Sequence, residues 1–382
     1  MFDKKTIERF GTIDTPFYYY DLSLLKKTLD LYTAELRKYK FHAHYALKAN
    51  ANFKILEIVK EYGLGADCVS GNEVSLAIKS GFDPIKVVYA GVGKSDKEIK
   101  IALAGNIFSF NCESIPEIEI IDSIAKQMGK IASISLRINP DIDAHTHRYI
   151  STGRSQDKFG ISHWMFDDVL SAIAKCTNIK LTGLHFHVGS QITDLNVFDM
   201  LAKKVNEISA NFKHKGVKIE NLNLGGGLGV EYENPDSNPI PDFATYFSIV
   251  DKRLIKEPYQ QIHFEPGRAI VAQCGSLISR VLYVKVGKGR KFAILDAGMN
   301  DLIRPALYQA SHKIDNLTST GRDMRYDVVG PICESSDRFA KNLLLPQTKR
   351  GDIIAIRSAG AYGQVMAMRY NQKDLAPEYY SD

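Results

Sequence analysis

Between about residues 41 and 268 the chain alternates short apolar runs with longer amphipathic segments, and it does so eight times. The runs are HAHYAL (42–47), LGADCVS (64–70), KVVYAG (86–91), IFSFN (107–111), IASISLRINP (131–140), KLTGLHFHVGS (180–190), IENLNLGGG (219–227) and QIHFEPGR (261–268). The segments between them, such as ANFKILEIVKEYG and FDDVLSAIAKC, carry apolar residues at three- and four-residue spacing, which is the period of a helix. Strand-length runs alternating with helices predict parallel strands joined by crossover helices, an α/β class. Eight such units fit a closed (β/α)8 TIM-type barrel, whose strands are buried on both faces and so read as apolar runs. A doubly wound open sheet meets the same alternation and is the competing arrangement.

After Arg268 the texture changes. GSLISRVLYVKV, KFAILDAG, RYDVVGPICE and GDIIAIRSAGAYG read as strands separated by Gly, Lys and Asp turns, with little helix between them. A C-terminal β-rich domain is expected there, and the early strand-like TPFYYYDLS is placed to pair with it. The division reads as a barrel over 28–268 and a β-rich domain from 1–27 and 269–382. The length of 382 residues suits two such bodies better than one small core. ENPDSNPIPD (233–242) reads as a long loop over the barrel mouth.

Composition removes several classes of function. The net charge of +5 is small for this length and lacks a basic tract, so neither nucleic acid nor an anionic membrane is expected as a partner. The five cysteines are odd in number and lack CxxC spacing, which points to a reducing compartment without a disulfide framework or zinc site. MFDKKTIERF lacks the apolar run of a secretory signal, and no stretch approaches the roughly 20 apolar residues of a membrane span. A cytoplasmic location is expected.

The unusual residues fall at the C-terminal ends of different strands. These are Lys48, Asp67, Asn111, His187 with Ser190, Gly225 to Gly227, and Glu265 with Arg268. In a (β/α)8 barrel those ends form one rim around one cavity, where active sites sit. A lysine closing a buried strand, as in YALKAN, faces desolvation that lowers its amine pKa and readies it to attack a carbonyl; taken alone it reads more readily as a snorkelling surface lysine. The glycines of GGGLG (225–229) let main-chain N–H groups approach a phosphate, or simply make a tight turn. GxGxxG spacing is absent, so a Rossmann fingerprint is not supported. Glu265 suits a protonated ring nitrogen and Arg268 a carboxylate or phosphate, unless the two form a structural pair. His185 and His187 share a strand face, with no third residue at metal-ligand spacing, so no metal site is expected. His187, nearer the rim, is placed to stack on a flat ring, and His185 to pack deeper. His145 and His147 read as polar loop residues. Cys333 is a candidate acid or a filler.

Taken in order, YALKAN, HFHVGSQ, GGGLG, EPGR, PICES and GAYG resemble the diaminopimelate decarboxylases, within the alanine racemase-like, fold-type III enzymes that use pyridoxal 5′-phosphate. The resemblance implies a barrel plus β domain, a homodimer, and decarboxylation of meso-2,6-diaminopimelate to L-lysine. It implies that Lys48, Cys333 and His187 are catalytic, with Lys48 holding the cofactor covalently, His187 stacking on its ring and Cys333 protonating the carbanion. Gly226, Gly227, Ser190 and Tyr362 would hold the phosphate, Glu265 the ring nitrogen, with Gly267 and Arg268 beside them and Asp67 and Glu73 behind. Arg268, Arg304, Tyr308 and Tyr362 would meet the substrate, the arginines at its distal carboxylate, and Glu334 its distal amine. Cys333 and Glu334 would come from the partner subunit. Racemases of this fold set an arginine against the ring nitrogen, so Glu265 favours a decarboxylase. Carboxynorspermidine and ornithine or arginine decarboxylases of the same fold remain alternatives, as does a non-catalytic cofactor-binding homologue. Ser336 departs from the family, which commonly has glycine after CES.

Overall fold

The structure is a computed structural model that describes residues 2–142 and 158–381; His145 and His147 lie outside the described residues. The chain divides into two units. One comprises Leu29–Gly229 and Asp242–Gly267; the other Met1–Thr28, Val230–Pro241 and Arg268–Asp382.

The first strand, β1 (Phe17–Tyr20), belongs to the second unit. The next eight are β2 (His42–Ala46), β3 (Gly65–Cys68), β4 (Val87–Tyr89), β5 (Ser109–Cys112), β6 (Ala132–Arg137), β7 (Ile179–His185), β8 (Asn221–Asn223) and β9 (Gln261–Phe264). They pair in parallel and in sequence order, and β2 closes on β9 through His42↔His263 and Ala43↔Phe264. The barrel is therefore closed rather than an open doubly wound sheet. Its helices begin where local chemistry allows. At helix Phe53–Glu61 the Asn52 side chain accepts from the N–H groups of Lys54 (2.9 Å) and Ile55 (3.2 Å), and Ile55, Leu56, Ile58 and Val59 form the buried face.

Side chains alternate along a strand, and the inward set of this barrel is polar. A lower layer joins His44 Nε2 to His263 Nδ1 (3.0 Å), His263 Nε2 to Asn221 Oδ1 (3.2 Å) and Ser109 Oγ to Ser135 Oγ (3.0 Å). Two residues further along those strands lie Asn111, Asn223 and Glu265. Outward-facing Phe110 and Leu222 are fully buried against the surrounding helices' side. Buried polar groups must find partners, and here they find one another.

The second unit contains an eight-stranded sheet. β10 (Gly275–Gly287) is followed by β11 (Arg290–Leu295), β12 (Ile314–Asn316), β13 (Asp323–Val329), β14 (Arg338–Pro346), β15 (Ile353–Ile356) and β16 (Glu378–Tyr380). The order is β12-β15-β10-β11-β13-β14, with β1 antiparallel to β10 and β16 beside β1. A register shift between Val281 and Tyr283 lets one long strand serve two sets of partners: Gly275–Ile278 face β1, and Tyr283 onward face β11. Phe10, Phe17, Tyr19, Ile278, Ile353 and Ala355 form its aromatic-aliphatic core.

The segment Val230–Pro241, within the region read as a long loop, groups with this β-rich unit. Its polar backbone is satisfied there: the Lys313 N–H donates to the Tyr232 carbonyl (2.9 Å), and Gln273 Nε2 to the Asn238 carbonyl (2.7 Å). Among the described residues, no helix is long and apolar enough to cross a membrane, and no three His, Cys, Asp or Glu side chains gather as metal ligands.

Candidate active site

Within the barrel unit, the C-terminal ends of six strands bring together most of the residues singled out in the sequence. Lys48 lies in the single 3₁₀ turn Leu47–Ala49 that follows β2, and its Nζ donates to Asp67 Oδ2 on β3 at 3.0 Å. Asp67 is fully buried, and its Oδ1 has no hydrogen-bond partner among the described residues. Burial first, and the charge of Glu265 second, push the Asp67 carboxyl up to about 7. Glu73, at the start of helix Gly71–Lys79, accepts from the Val69 N–H at 2.7 Å and so braces the end of β3.

Glu265, just past β9, is 4% exposed and takes three donors. Asn111 Nδ2 (3.2 Å) and Asn223 Nδ2 (2.7 Å) reach Oε1, and His185 Nε2 reaches Oε2 at 2.9 Å. Asn111 and His185 stand on strands that do not neighbour β9, so these bonds cross the barrel interior. Burial opposes an ionised Glu265, but His185 and Lys48 outweigh it and hold the carboxyl below its ordinary range. His185 is thus an anchor for Glu265 rather than only a deeper packing residue; its Nδ1 is buried and has no hydrogen-bond partner among the described residues. The half-buried His187 accepts from the Gly189 N–H at 3.3 Å, and burial together with the Lys48 charge holds its pKa well below the ordinary value.

The glycines after β8 are bare by necessity. A Cβ on Gly226 would lie 2.2 Å from the Glu265 carbonyl oxygen, and one on Gly225 (φ +70°) 2.3 Å from that of Phe186. Gly267 is confined between the Cβ atoms of Ala49 (3.0 Å) and Ala46 (3.2 Å). Ser190 lies half-buried in the turn after β7.

The β-rich unit gathers a second set. Arg268 and Arg304 are 6% and 4% exposed. Arg268 Nη1 donates to the Tyr232 hydroxyl at 2.6 Å, and its guanidinium lies 4.9 Å from the Tyr362 ring centre. Arg304, opening helix Arg304–Tyr308, lies 4.6 Å over the Tyr232 ring, and Tyr308 ends that helix half-buried. Cys333 and Glu334 are exposed. Glu334 accepts from the Tyr370 hydroxyl and, at 2.9 Å, from Ser336 Oγ, so the residue that departs from the family pattern steadies this carboxylate.

Sequence reasoning missed Asn223, Tyr232 and His312. Asn223 had a signal: the period-two NLN at the end of a buried strand puts two amides on one face. Tyr232 and His312 had none, since they meet Arg268 and Arg304 only across the folded chain.

A family model for the pyridoxal-binding domain of pyridoxal-dependent decarboxylases matches residues 22–272. The chain belongs to this family of pyridoxal-dependent decarboxylases. It is 53% identical to a diaminopimelate decarboxylase from Bacteroides thetaiotaomicron over 98% of both chains. The crystal structure of diaminopimelate decarboxylase from Helicobacter pylori, complexed with L-lysine, superposes with a TM-score of 0.92 at 41% identity, covering 98% of this chain and 93% of that one. One from M. jannaschii, also with L-lysine, gives 0.91 at 32% identity over 98% and 89%. Within the family the chain falls among the diaminopimelate decarboxylases.

The barrel residues fit pyridoxal phosphate. Lys48 pairs with the buried carboxylate of Asp67, and among the described residues Asp67 Oδ1 and His185 Nδ1 are buried polar atoms without hydrogen-bond partners.

Proposed function

We propose that the protein decarboxylates meso-2,6-diaminopimelate at its D-centre, releasing L-lysine and carbon dioxide, with pyridoxal 5′-phosphate held on Lys48. The observation that carries the substrate choice is Arg304. It is a buried guanidinium whose Nε has no hydrogen-bond partner among the described residues, and it suits a carboxylate that ornithine lacks at its distal end.

When bound, the cofactor supplies an electron sink for the charge left on the α-carbon as carbon dioxide departs. Main-chain N–H groups of Gly226 and Gly227, with Ser190 and Tyr362, would hold its phosphate, with Gly267 beside them. Glu265, kept ionised by its three donors, would keep a bound ring nitrogen protonated, and His187 would stack on the ring. Asp67 fixes the Lys48 amine. Arg268, Arg304 and Tyr308 bind the distal carboxylate, and Glu334 the distal amine. Cys333 returns a proton to the α-carbon.

The exposed Cys333 and Glu334 are supplied across a homodimer interface, and the free cysteines suit the cytoplasm. Mixing Lys48→Ala with Cys333→Ala protein, each inactive alone, then restores part of the activity through mixed dimers. The direct test measures carbon dioxide release from diaminopimelate, ornithine and carboxynorspermidine, with and without added cofactor. Cofactor-dependent turnover of diaminopimelate alone is expected. Faster turnover of either amine substrate, or none at saturating cofactor, overturns the reading.

A further inference from the structure

Buried Arg304 lies among Tyr232, Arg268, Tyr308 and Tyr362, and no carboxylate is among the groups that bear most on it. What its guanidinium touches is a neutral ring: Nη1 lies 2.7 Å from Nε2 of His312. The other nitrogen of that ring, Nδ1, lies 2.8 Å from the Arg357 carbonyl oxygen. A carbonyl only accepts and a guanidinium only donates, so Nδ1 must carry the hydrogen and Nε2 must present a bare lone pair.

Everything around His312 holds that state. The residue is 8% exposed, and burial first, then the Arg304 charge, pushes its pKa down to about 3, far below any working pH. Its ring meets Tyr232 edge-on, with centres 5.0 Å apart and planes at 75°. The carbonyl that sets the tautomer is itself fixed. The Arg357 N–H donates to the Lys313 carbonyl at 2.8 Å, and the Arg357 guanidinium reaches Asp236 (2.9 Å) and Asp315 (3.3 Å). Those two carboxylates are therefore engaged by Arg357.

We propose that His312 is a positioning residue for substrate selection: it fixes the Arg304 guanidinium through a neutral acceptor and so leaves its charge for a ligand carboxylate. An aspartate or glutamate in its place would hold the guanidinium as firmly but would neutralise it, and would compete with the incoming anion. The proposal rests on the reading of Arg304 as the group that meets the distal carboxylate.

The test uses cofactor-loaded protein and three ligands: diaminopimelate, L-lysine, and 1,5-diaminopentane, which lacks any carboxylate. His312→Phe keeps a flat ring near Tyr232 and removes both nitrogens, whereas His312→Gln restores an oxygen able to accept from Arg304. The loss of one hydrogen bond to a charged group raises KM for diaminopimelate and Kd for L-lysine about 10- to 100-fold in the Phe variant. Its kcat and its Kd for 1,5-diaminopentane stay at the parent values, and the Gln variant recovers most of the loss. Equal weakening of both ligands, a fall in kcat alone, or a Gln variant no better than Phe overturns the proposal. If the Phe variant does not fold, His312→Asn, which can keep the Arg357 bond but falls short of Arg304, reads the same split. Arg304→Met separates the two levels. If it leaves L-lysine affinity intact, the reading of Arg304 itself fails; if it weakens lysine while His312→Phe does not, only the role of His312 fails.

Discussion

Replacing Gly226 by Ala adds one methyl group where β8 and β9 end side by side. That carbon would sit 2.2 Å from the Glu265 carbonyl oxygen and 3.1 Å from its carbonyl carbon, both backbone atoms with no rotamer to change. An ordinary carbon contact lies near 3.5 Å, so the two strand ends must part by roughly 1 Å. The bond they share there, from the Glu265 N–H to the Gly225 carbonyl, is 2.8 Å long and would be stretched or broken. Overpacking contributes about 1–3 kcal/mol and the weakened hydrogen bond about 1 more, giving a destabilisation of about 2–4 kcal/mol. Glu265 would move with its backbone, and misplacing a reacting constellation by that much lowers turnover on the order of 100-fold. Urea unfolding of the cofactor-free protein measures the first effect, and steady-state lysine production the second. Gly93→Ala is the matched control, because nothing lies within 4 Å of its added carbon and its φ is not positive; it should unfold within about 0.5 kcal/mol of the parent. If the two variants unfold alike, the steric reasoning is refuted.

Glu265→Gln removes the charge and turns one oxygen into a donor facing either His185 or the two asparagines; turnover should fall on the order of 10²- to 10³-fold, and a loss under tenfold would count against its role at the ring nitrogen. Asp67 carries a raised pKa in the folded chain, up to about 7 from 3.8, so its protonated form is favoured by folding. Its stabilising contribution is complete below about pH 4 and is lost as pH rises through about 7. The stability difference between the cofactor-free parent and Asp67→Asn should therefore shrink across that window in urea titrations, and a flat difference would exclude the effect. Glu113 accepts from Arg137 Nη1 (2.6 Å) and the Gly160 N–H (2.8 Å) with both charged side chains buried. Glu113→Ala strands the arginine and should lower unfolding free energy by about 3–5 kcal/mol; a change below about 1 kcal/mol would show the charge to be solvated.

The barrel and the rim residues Lys48, Asp67, Glu265 and the glycines were legible because the information is local. A strand one residue longer or shorter changes which face a side chain takes, and the apolar runs with their terminal punctuation state this directly. β1 was legible as a strand for the same reason, whereas its pairing with β10 and β16 is set by the fold. Tertiary structure alone decided who touches whom. Asn111 and His185 reach Glu265 across the barrel, over separations of 154 and 80 residues, and no periodicity carries information over that distance. The segment Val230–Pro241 joined the β-rich unit because its polar backbone found partners there, bringing Tyr232 beneath Arg304. The charge state of Asp67 and the tautomer of His312 are likewise absent from the sequence. Burial and neighbouring groups set both, and these exist only once the chain has folded.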